Sequence, residues 1–348
     1  METYLIVGTG KSGVAAAELL SKKEEKFYLY DGNTSLDADA FFSEHPEINK
    51  TNLFLGDVPE EVKKEVTVAV LSPGVPCDSD FVKDLVSYGM KLSGEIELAY
   101  SLGKGRVVAI TGTNGKTTTT ALTGCLMEEY FSDVRVVGNI GIPYTGRVSD
   151  ATEDSVFVAE ISSFQLETAD TFYPKVSAIL NITPDHLDRH HTMENYIAAK
   201  ESITKNQKAE DVCVLNYEDE VLREFGKTLS CKVVYFSSAR KLPNDVDGYY
   251  YENGAIYKMP SEKFIDVSEL NILGLHNFEN AMAAIAMAEA MEVPAEKIKA
   301  GLRKFTAVEH RIEYVCEKRG VRFYNDSKGT NPDAAIKGIQ IGRASCRE

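Results

Sequence analysis

Arg106-Val-Val-Ala-Ile-Thr-Gly-Thr-Asn-Gly-Lys-Thr-Thr-Thr-Thr120 is the stretch that decides the fold. Its apolar, β-branched run at 107–110 predicts a buried strand. The run breaks at Gly112, Thr113, Asn114 and Gly115, and a helical segment follows from Lys116, Thr117 and Thr118. Strand, glycine loop and helix form the grammar of a nucleoside-triphosphate site. Glycines let backbone N–H groups turn inward around phosphate oxygens, and the helix N-terminus adds positive partial charge. In such a loop Lys116 reaches the β- and γ-phosphates and the Thr117 hydroxyl takes a Mg²⁺ ion. The usual spacing has a further glycine where this chain carries Ile110. An ordinary strand-to-helix turn is the plainer alternative, and the full Thr-Gly-Thr-Asn-Gly-Lys-Thr-Thr run weighs against it.

On either side of this stretch, short apolar strands alternate with helical patterns, which implies an α/β fold with parallel sheets. Strands are expected at 4–7, 27–30 and 67–71, with an Ala/Leu-rich helix at 14–20. Ser93-Gly94-Glu95 reads as the boundary to a second unit, which opens with a helix at 96–102. Further strands are expected at 134–137, 155–159, 178–181 and 212–216. The Tyr-rich segment 242–260, turning at Glu252-Asn253-Gly254, predicts a β-hairpin. Residues 277–291 predict a buried Ala/Met helix. A third unit starts near 305–310 and carries a strand at 322–324. The expected domains are therefore 1–93, 94–306 and 307–348.

The chain has 348 residues, 43% hydrophobic and 26% charged, as a soluble multidomain protein has. Its net charge of −15 argues against nucleic acid as a partner. No apolar run is long enough to span a membrane. The six cysteines form no C-x-x-C pair, so no zinc site or disulfide framework is expected, and a cytoplasmic location fits. About forty residues beyond the last boundary are too few for a packed domain. The segment 341–348 reads like translated sequencing-adapter DNA, so the native sequence is expected to end near Gln340.

Other motifs carry chemistry. Gly8-Thr9-Gly10-Lys11-Ser12-Gly13 follows the first strand, and Asp31 ends the second, as in dinucleotide-binding units. Alone this favours an NAD-dependent oxidoreductase, yet a UDP-sugar satisfies the same physics. Ser72-Pro73-Gly74 closes the third strand at the ligand-binding edge, or is a simple turn. Glu160 sits where a carboxylate completes Mg²⁺ coordination beside Thr117. Ser162, Ser163 and Gln165 suit a substrate's oxygens, and a helix cap explains one of the serines equally well. His186 lies between Asp185 and Asp188, so metal ligation and a structural hydrogen bond are about evenly matched. Lys200 reads by default as a solvated charge. Asn277 and Asn280 share a helix face and hold a nucleotide or cap the helix. Arg311 suits a phosphate. The loop from Asp326 through Lys328 to Thr330 combines an acid, a cation and a hydroxyl, or is an ordinary turn.

Together these motifs resemble the Mur ligase family from residue 1 to about 340. The resemblance rests on Gly112 to Thr118, Gly138-Asn139-Ile-Gly141, Glu160-Ile-Ser-Ser-Phe-Gln-Leu-Glu167, Asp185-His-Leu-Asp-Arg189, Lys200, His276-Asn277, His310-Arg311 and Asn325-Asp-Ser-Lys328. It implies a Rossmann-like first domain, a P-loop-type central ATPase domain and an incomplete Rossmann-like third one. The implied reaction is ATP-dependent amide formation through an acyl phosphate. The Ser-Ser-Phe-Gln-Leu-Glu run, the short first domain and Ser-Pro-Gly point to the branch that adds D-glutamate to UDP-N-acetylmuramoyl-L-alanine.

By resemblance, Lys116, Glu160, His186 and Lys200 are catalytic. Two Mg²⁺ sites are implied, one on Thr117 and Glu160, the other on His186 and a carbamylated Lys200. Gly112 to Thr118, Asn277, Asn280, Arg311, Asp326 and Lys328 would bind ATP. Gly10, Lys11, Ser12, Asp31, Gly32, Ser72, Pro73, Gly74, Asn139, Ser162, Ser163 and Gln165 would bind the UDP-sugar. Lys328 and Thr330 would meet D-glutamate. A monomer is expected, and the chain as it stands is expected to bind UDP-sugar without turnover. Another Mur ligase, a folylpolyglutamate synthase, an NAD-dependent oxidoreductase and a non-catalytic nucleotide-binding module stay open as alternatives.

Overall fold

The computed structural model describes residues 2–48, 52–139, 141–306, 313–327 and 335–336. Strand β1 (Thr3–Val7) shows why the first sheet forms. All five of its residues are buried, with Tyr4 and Ile6 in one apolar cluster and Leu5 and Val7 in another. A strand that is apolar on both faces needs cover on both, which a parallel sheet flanked by helices gives. It pairs with β2 (Lys26–Asp31) and β4 (Val68–Leu71). The edges are β3 (Leu53–Leu55) and β5 (Lys91–Gly94). The order β3-β2-β1-β4-β5 is parallel throughout and reverses between β1 and β4. In such sheets ligands bind in the crevice at that switch point.

The second sheet has nine strands. They are β6 (Arg106–Thr111), β7 (Val134–Gly138), β8 (Val156–Glu160), β9 (Val176–Ile179), β10 (Val212–Asn216), β11 (Lys232–Ser237), β12 (Gly248–Glu252), β13 (Ala255–Lys258) and β14 (Glu262–Asp266). Their order is β14-β13-β12-β11-β10-β9-β6-β8-β7. Only the pairs β12–β13 and β13–β14 are antiparallel. The expected Tyr-rich hairpin is β12–β13, turning at Asn253-Gly254 with φ +48° and +81°. Strand β6 alternates in the same way as β1. Val108 and Ile110 face the helices Lys116–Glu128, Leu275–Ala290 and Ala295–Lys304, while Val107 and Ala109 face the opposite cluster. A separate antiparallel pair, β15 (Glu313–Lys318) with β16 (Val321–Asn325), contains the strand expected near 322–324.

Strands β3, β5, β11, β14 and β15 lay outside the sequence expectations. Three of them, β3, β5 and β14, sit at sheet edges, where weaker apolar patterning suffices. Residues 93–95 are the end of β5 and the start of the helix Glu95–Leu102. That helix serves both sheets. Leu98 belongs to the first sheet's core, and Ile96 and Ala99 to the second's.

Two buried carboxylates in its first turns tie this helix to the second sheet. Glu95 Oε1 accepts from Thr145 N at 2.6 Å and from the Thr145 hydroxyl at 2.8 Å. Burial raises the Glu95 pKa against the lowering effect of these bonds. Glu97 accepts from the backbone N–H groups of Asp170, Thr171 and Phe172 at 2.8–2.9 Å and from the Thr171 hydroxyl. Replacing Glu97 by Gln turns an NH₂ toward donors that need an acceptor. Glu97→Gln should lower stability by about 1–3 kcal/mol in urea unfolding, and an unchanged midpoint would show that the 170–172 turn does not depend on this carboxylate.

Candidate active site

Because β6 lies between β8 and β9, the loops leaving these three strands stand side by side at the carboxyl edge. The loop after β6 needs its glycines. Gly112 and Gly115 have φ of +148° and +86°, values that L side chains rarely adopt. A Cβ on Gly115 would also come within 2.5 Å of Asn280 Oδ1. Gly115 caps the helix Lys116–Glu128, so Thr117 and Thr118 stand in its first turn. The Lys116 ammonium folds onto its own loop, donating to Gly112 O at 2.9 Å and Thr113 O at 2.8 Å.

The neighbouring β9 loop holds this one in shape. Asn114 N donates to Asn181 Oδ1 at 2.8 Å, and Asn181 Nδ2 returns a bond to Asn114 O at 3.0 Å. Thr113 N donates to Asn181 O at 2.9 Å. The Thr113 hydroxyl donates to Thr183 O at 3.1 Å and shares a 3.0 Å hydrogen bond with the Tyr196 hydroxyl.

Lys200 is not the solvated charge that its sequence suggests. It is 2% exposed, and its Nζ donates to Gly112 O at 2.9 Å and lies 4.5 Å from the Tyr196 ring centre. Burial, reinforced by the charge of Lys116, lowers its pKa well below the ordinary lysine value. Spacing does contain a signal for Tyr196: it precedes Lys200 by one helical turn on the same face.

Glu160 ends β8 and is buried. Asn139 Nδ2 donates to its Oε1 at 3.2 Å, and Asn139 N donates to its carbonyl at 2.8 Å. Gly138 makes that approach possible, since a Cβ there would stand 2.1 Å from Glu160 O. Ser162 and Gln165 form a reciprocal capping box for the helix Ser163–Leu166. The Ser163 hydroxyl points elsewhere, 2.8 Å from His190 Nε2. His186 has φ +51°, and its ring packs 5.1 Å from Phe164. Its Nε2 lies 3.8 Å from Asp185 Oδ2. Among the described residues, His, Cys, Asp and Glu donors gather in a ligand-like group only at Glu18, His45 and Glu47, in the first helix and the turn after the second. Thr117, in the first turn of the phosphate-loop helix, and Glu160, at the end of the adjacent β8, offer the oxygen donors that Mg²⁺ prefers.

Asn277 and Asn280 are both buried. Asn280 Oδ1 accepts from the Thr119 hydroxyl at 3.1 Å, Asn280 Nδ2 donates to Asn277 Oδ1 at 3.2 Å, and Asn277 Nδ2 donates to Leu273 O at 2.7 Å. The pair therefore bolts the helix Leu275–Ala290 to the phosphate-loop helix. Asp326 follows β16. Arg311, Lys328 and Thr330 lie outside the described residues.

At the first sheet's switch point, Gly8 has φ +109° and Gly13 packs so close that a Cβ would meet Gly8 O at 1.9 Å. Asp31 Oδ2 accepts from Thr9 N and the Thr9 hydroxyl at 2.9 and 2.5 Å, and its Oδ1 accepts from Asn33 N. These bonds lower its pKa against the opposing effect of burial. Gly10, Lys11 and Ser12 start the helix Lys11–Lys22, and Gly32, just after β2, is exposed. Ser72-Pro73-Gly74 follows β4 with the Ser72 side chain against Gly8, and the buried Ser72 hydroxyl has no hydrogen-bond partner.

Residues 110–288 match the model of the Mur ligase middle domain. The chain belongs to the Mur ligase family. It is 53% identical over 338 residues to the UDP-N-acetylmuramoylalanine–D-glutamate ligase of Lachnoclostridium phytofermentans, covering 97% of this chain and 74% of that one. Against the enzyme of the same name from Clostridioides difficile it is 44% identical over 339 residues, again 97% and 74%. Among solved structures, the pseudomurein peptide ligase type C of Methanothermus fervidus superposes with a TM-score of 0.58 at 21% identity, covering 98% of this chain and 77% of that one. A Neisseria meningitides UDP-N-acetylmuramate:L-alanyl-gamma-D-glutamyl-meso-diaminopimelate ligase gives 0.61 at 17%, covering 89% and 99%. These structures share the α/β Mur ligase fold. The family is ATP-dependent, which accords with the loop at 112–118.

Asn181→Ala removes two of the bonds that hold Asn114. Nucleotide affinity measured by calorimetry should fall about tenfold, near 1.4 kcal/mol. Unchanged affinity would mean that the loop keeps its shape without Asn181.

Proposed function

We propose that this Mur ligase joins D-glutamate to UDP-N-acetylmuramoyl-L-alanine at the expense of ATP. The observation that carries this reading is the phosphate loop with two lysines on Gly112, in a chain 53% identical to a ligase of that name. In this chemistry the alanine carboxylate oxygen attacks the γ-phosphorus of ATP, giving an acyl phosphate and ADP. The amine of D-glutamate then adds to the acyl carbon, and collapse of the tetrahedral adduct releases phosphate and leaves the amide. Two anions must meet in the first step, so the site has to neutralise charge before it can react. Lys116 and the N-terminus of its helix supply positive charge beside the phosphates.

Thr117 and Glu160 would hold one Mg²⁺, and His186 with a carbamylated Lys200 a second. Bound Mg²⁺ would offset the negative charge of phosphate and carboxylate. Carbamylation needs a neutral amine to attack CO₂, and the depressed pKa of Lys200 supplies one. Residues 1–93 would bind the UDP-sugar through Gly10, Lys11, Ser12, Asp31, Gly32 and Ser72 to Gly74. Residues 94–306 would bind ATP, with Asn139, Ser162, Ser163 and Gln165 on the muramoyl-alanine end. In this structure Asn277, Asn280, Ser162 and Gln165 already bond to protein groups, so they act first by fixing the walls of the site. Residues from 307 onward would begin the amino-acid-binding domain, with Arg311, Asp326 and Lys328 toward nucleotide and Lys328 and Thr330 toward D-glutamate. The protein would work as a cytoplasmic monomer. No described helix is long and apolar enough to cross a membrane.

Calorimetric titration should show saturable binding of UDP-N-acetylmuramoyl-L-alanine and of ATP with Mg²⁺, and none of NADH. NADH binding without UDP-precursor binding would return the Gly8–Gly13 loop to the oxidoreductase reading. For Lys200, ¹³C NMR under ¹³CO₂ should show a carbamate resonance that Lys200→Ala lacks. The signal should fade as the pH falls, because acid protonates the amine and releases CO₂. A spectrum identical in the mutant would remove the carbamate.

A further inference from the structure

His190 lies outside the catalytic set, yet it is 4% exposed, with a hydrogen bond at one ring nitrogen and a carboxylate facing the other. Its Nε2 is 2.8 Å from Ser163 Oγ, and its Nδ1 is 3.4 Å from Glu167 Oε1. Glu167 Oε2 in turn accepts from Arg189 Nη2 at 2.8 Å and from the Cys77 thiol at 3.5 Å. Arg189 Nη2 also donates to Val75 O at 3.0 Å, in the loop that leaves β4 of the first sheet. Phe164 fills the space between these groups, stacked on His190 at 5.3 Å and beneath the Arg189 guanidinium at 5.1 Å.

Only one tautomer of the neutral ring satisfies both neighbours. A carboxylate can only accept, so Nδ1 carries the proton toward Glu167, and Nε2 accepts the Ser163 hydroxyl proton. Burial lowers the His190 pKa and favours the neutral ring. Lys200, Arg189 and His186 push the same way, against Glu167. The Ser163 proton is then committed to His190, and the hydroxyl can offer a ligand only its lone pairs. Ser163 sits three residues beyond Glu160, at the start of the helix that follows β8 at the carboxyl edge of the second sheet.

We propose that His190 is a positioning residue that fixes Ser163 as a hydrogen-bond acceptor for the amide N–H joining alanine to the sugar's lactyl group. Glu167 and Arg189 lock it there against the first sheet. The inference rests on the ligase reading above. It makes Ser163 a discriminator between a precursor that carries the alanine amide and one that does not. Without that amide, Ser163 keeps its bond to His190 and loses nothing.

The test compares calorimetric affinities of the full chain for UDP-N-acetylmuramoyl-L-alanine and for UDP-N-acetylmuramate. His190→Phe keeps a ring to stack on Phe164 and removes the hydrogen bond to Ser163 together with the contact to Glu167. It should weaken the alanine-bearing precursor about tenfold, the scale of one lost hydrogen bond. It should leave UDP-N-acetylmuramate and ATP binding within twofold of the parent, and His190→Gln should recover part of the loss. Equal weakening of both precursors, or of ATP, would overturn the proposal and leave His190 a packing residue. An unchanged His190→Phe profile would overturn it too. If the parent protein binds neither precursor, the ligase reading itself fails, and this outcome is distinct from the others.

Discussion

The carbonyl oxygen of Gly112 is the point on which the candidate site turns. Two lysine amines, Lys116 from the adjoining helix and Lys200 from the helix Met193–Glu201, donate to it, each at 2.9 Å. Gly112 takes φ +148°, a backbone conformation that L side chains rarely adopt. Two ammonium groups on one oxygen repel each other, and Lys200 is the one buried. Burial, with the charge of Lys116 added, lowers its pKa and favours the neutral amine. The arrangement couples the phosphate loop to a helix more than eighty residues away in sequence.

The surroundings keep that carbonyl in place. Asn181 and Thr183 hold the loop from the β9 side, and Asn280 holds the glycine turn and Thr119 from the other. Each of these groups is buried or part-buried and hydrogen-bonded, so the loop has little freedom before a ligand arrives. A phosphate site built from backbone N–H groups gains from such rigidity, because the cost of ordering it is met in folding rather than in binding. The two sheets are joined with the same economy. The helix Glu95–Leu102 gives apolar side chains to both cores, and its carboxylates cap turns of the second sheet.

Sequence and structure divide most clearly at the polar residues. The alternating strands, the glycine loops and the Ala/Met helix were legible because each follows from local patterning: β-branched runs, positive-φ glycines and a helical apolar face. Glu160 was legible as a carboxylate at a strand's carboxyl end. Lys200 was not legible as a buried group from its own neighbourhood, since Ile-Ala-Ala-Lys-Glu on a helix reads as surface. Ser162 and Gln165 could be read as substrate contacts or as a cap, and the reciprocal bonds in the structure satisfy the second description.

The sequence by itself determined the α/β class, the two nucleotide-type loops and the resemblance to the Mur ligases, because these depend on spacing within one short segment at a time. Only the tertiary structure decided which polar groups meet. Lys200 with Gly112, Asn181 with Asn114, His190 with Ser163 and Arg189 with Val75 are pairings made by sheet order and helix docking. Each joins segments that follow different strands. A pattern along the chain carries no term for the distance between two loops. That distance is set when β6 takes its place between β8 and β9, and when the first sheet docks on the second.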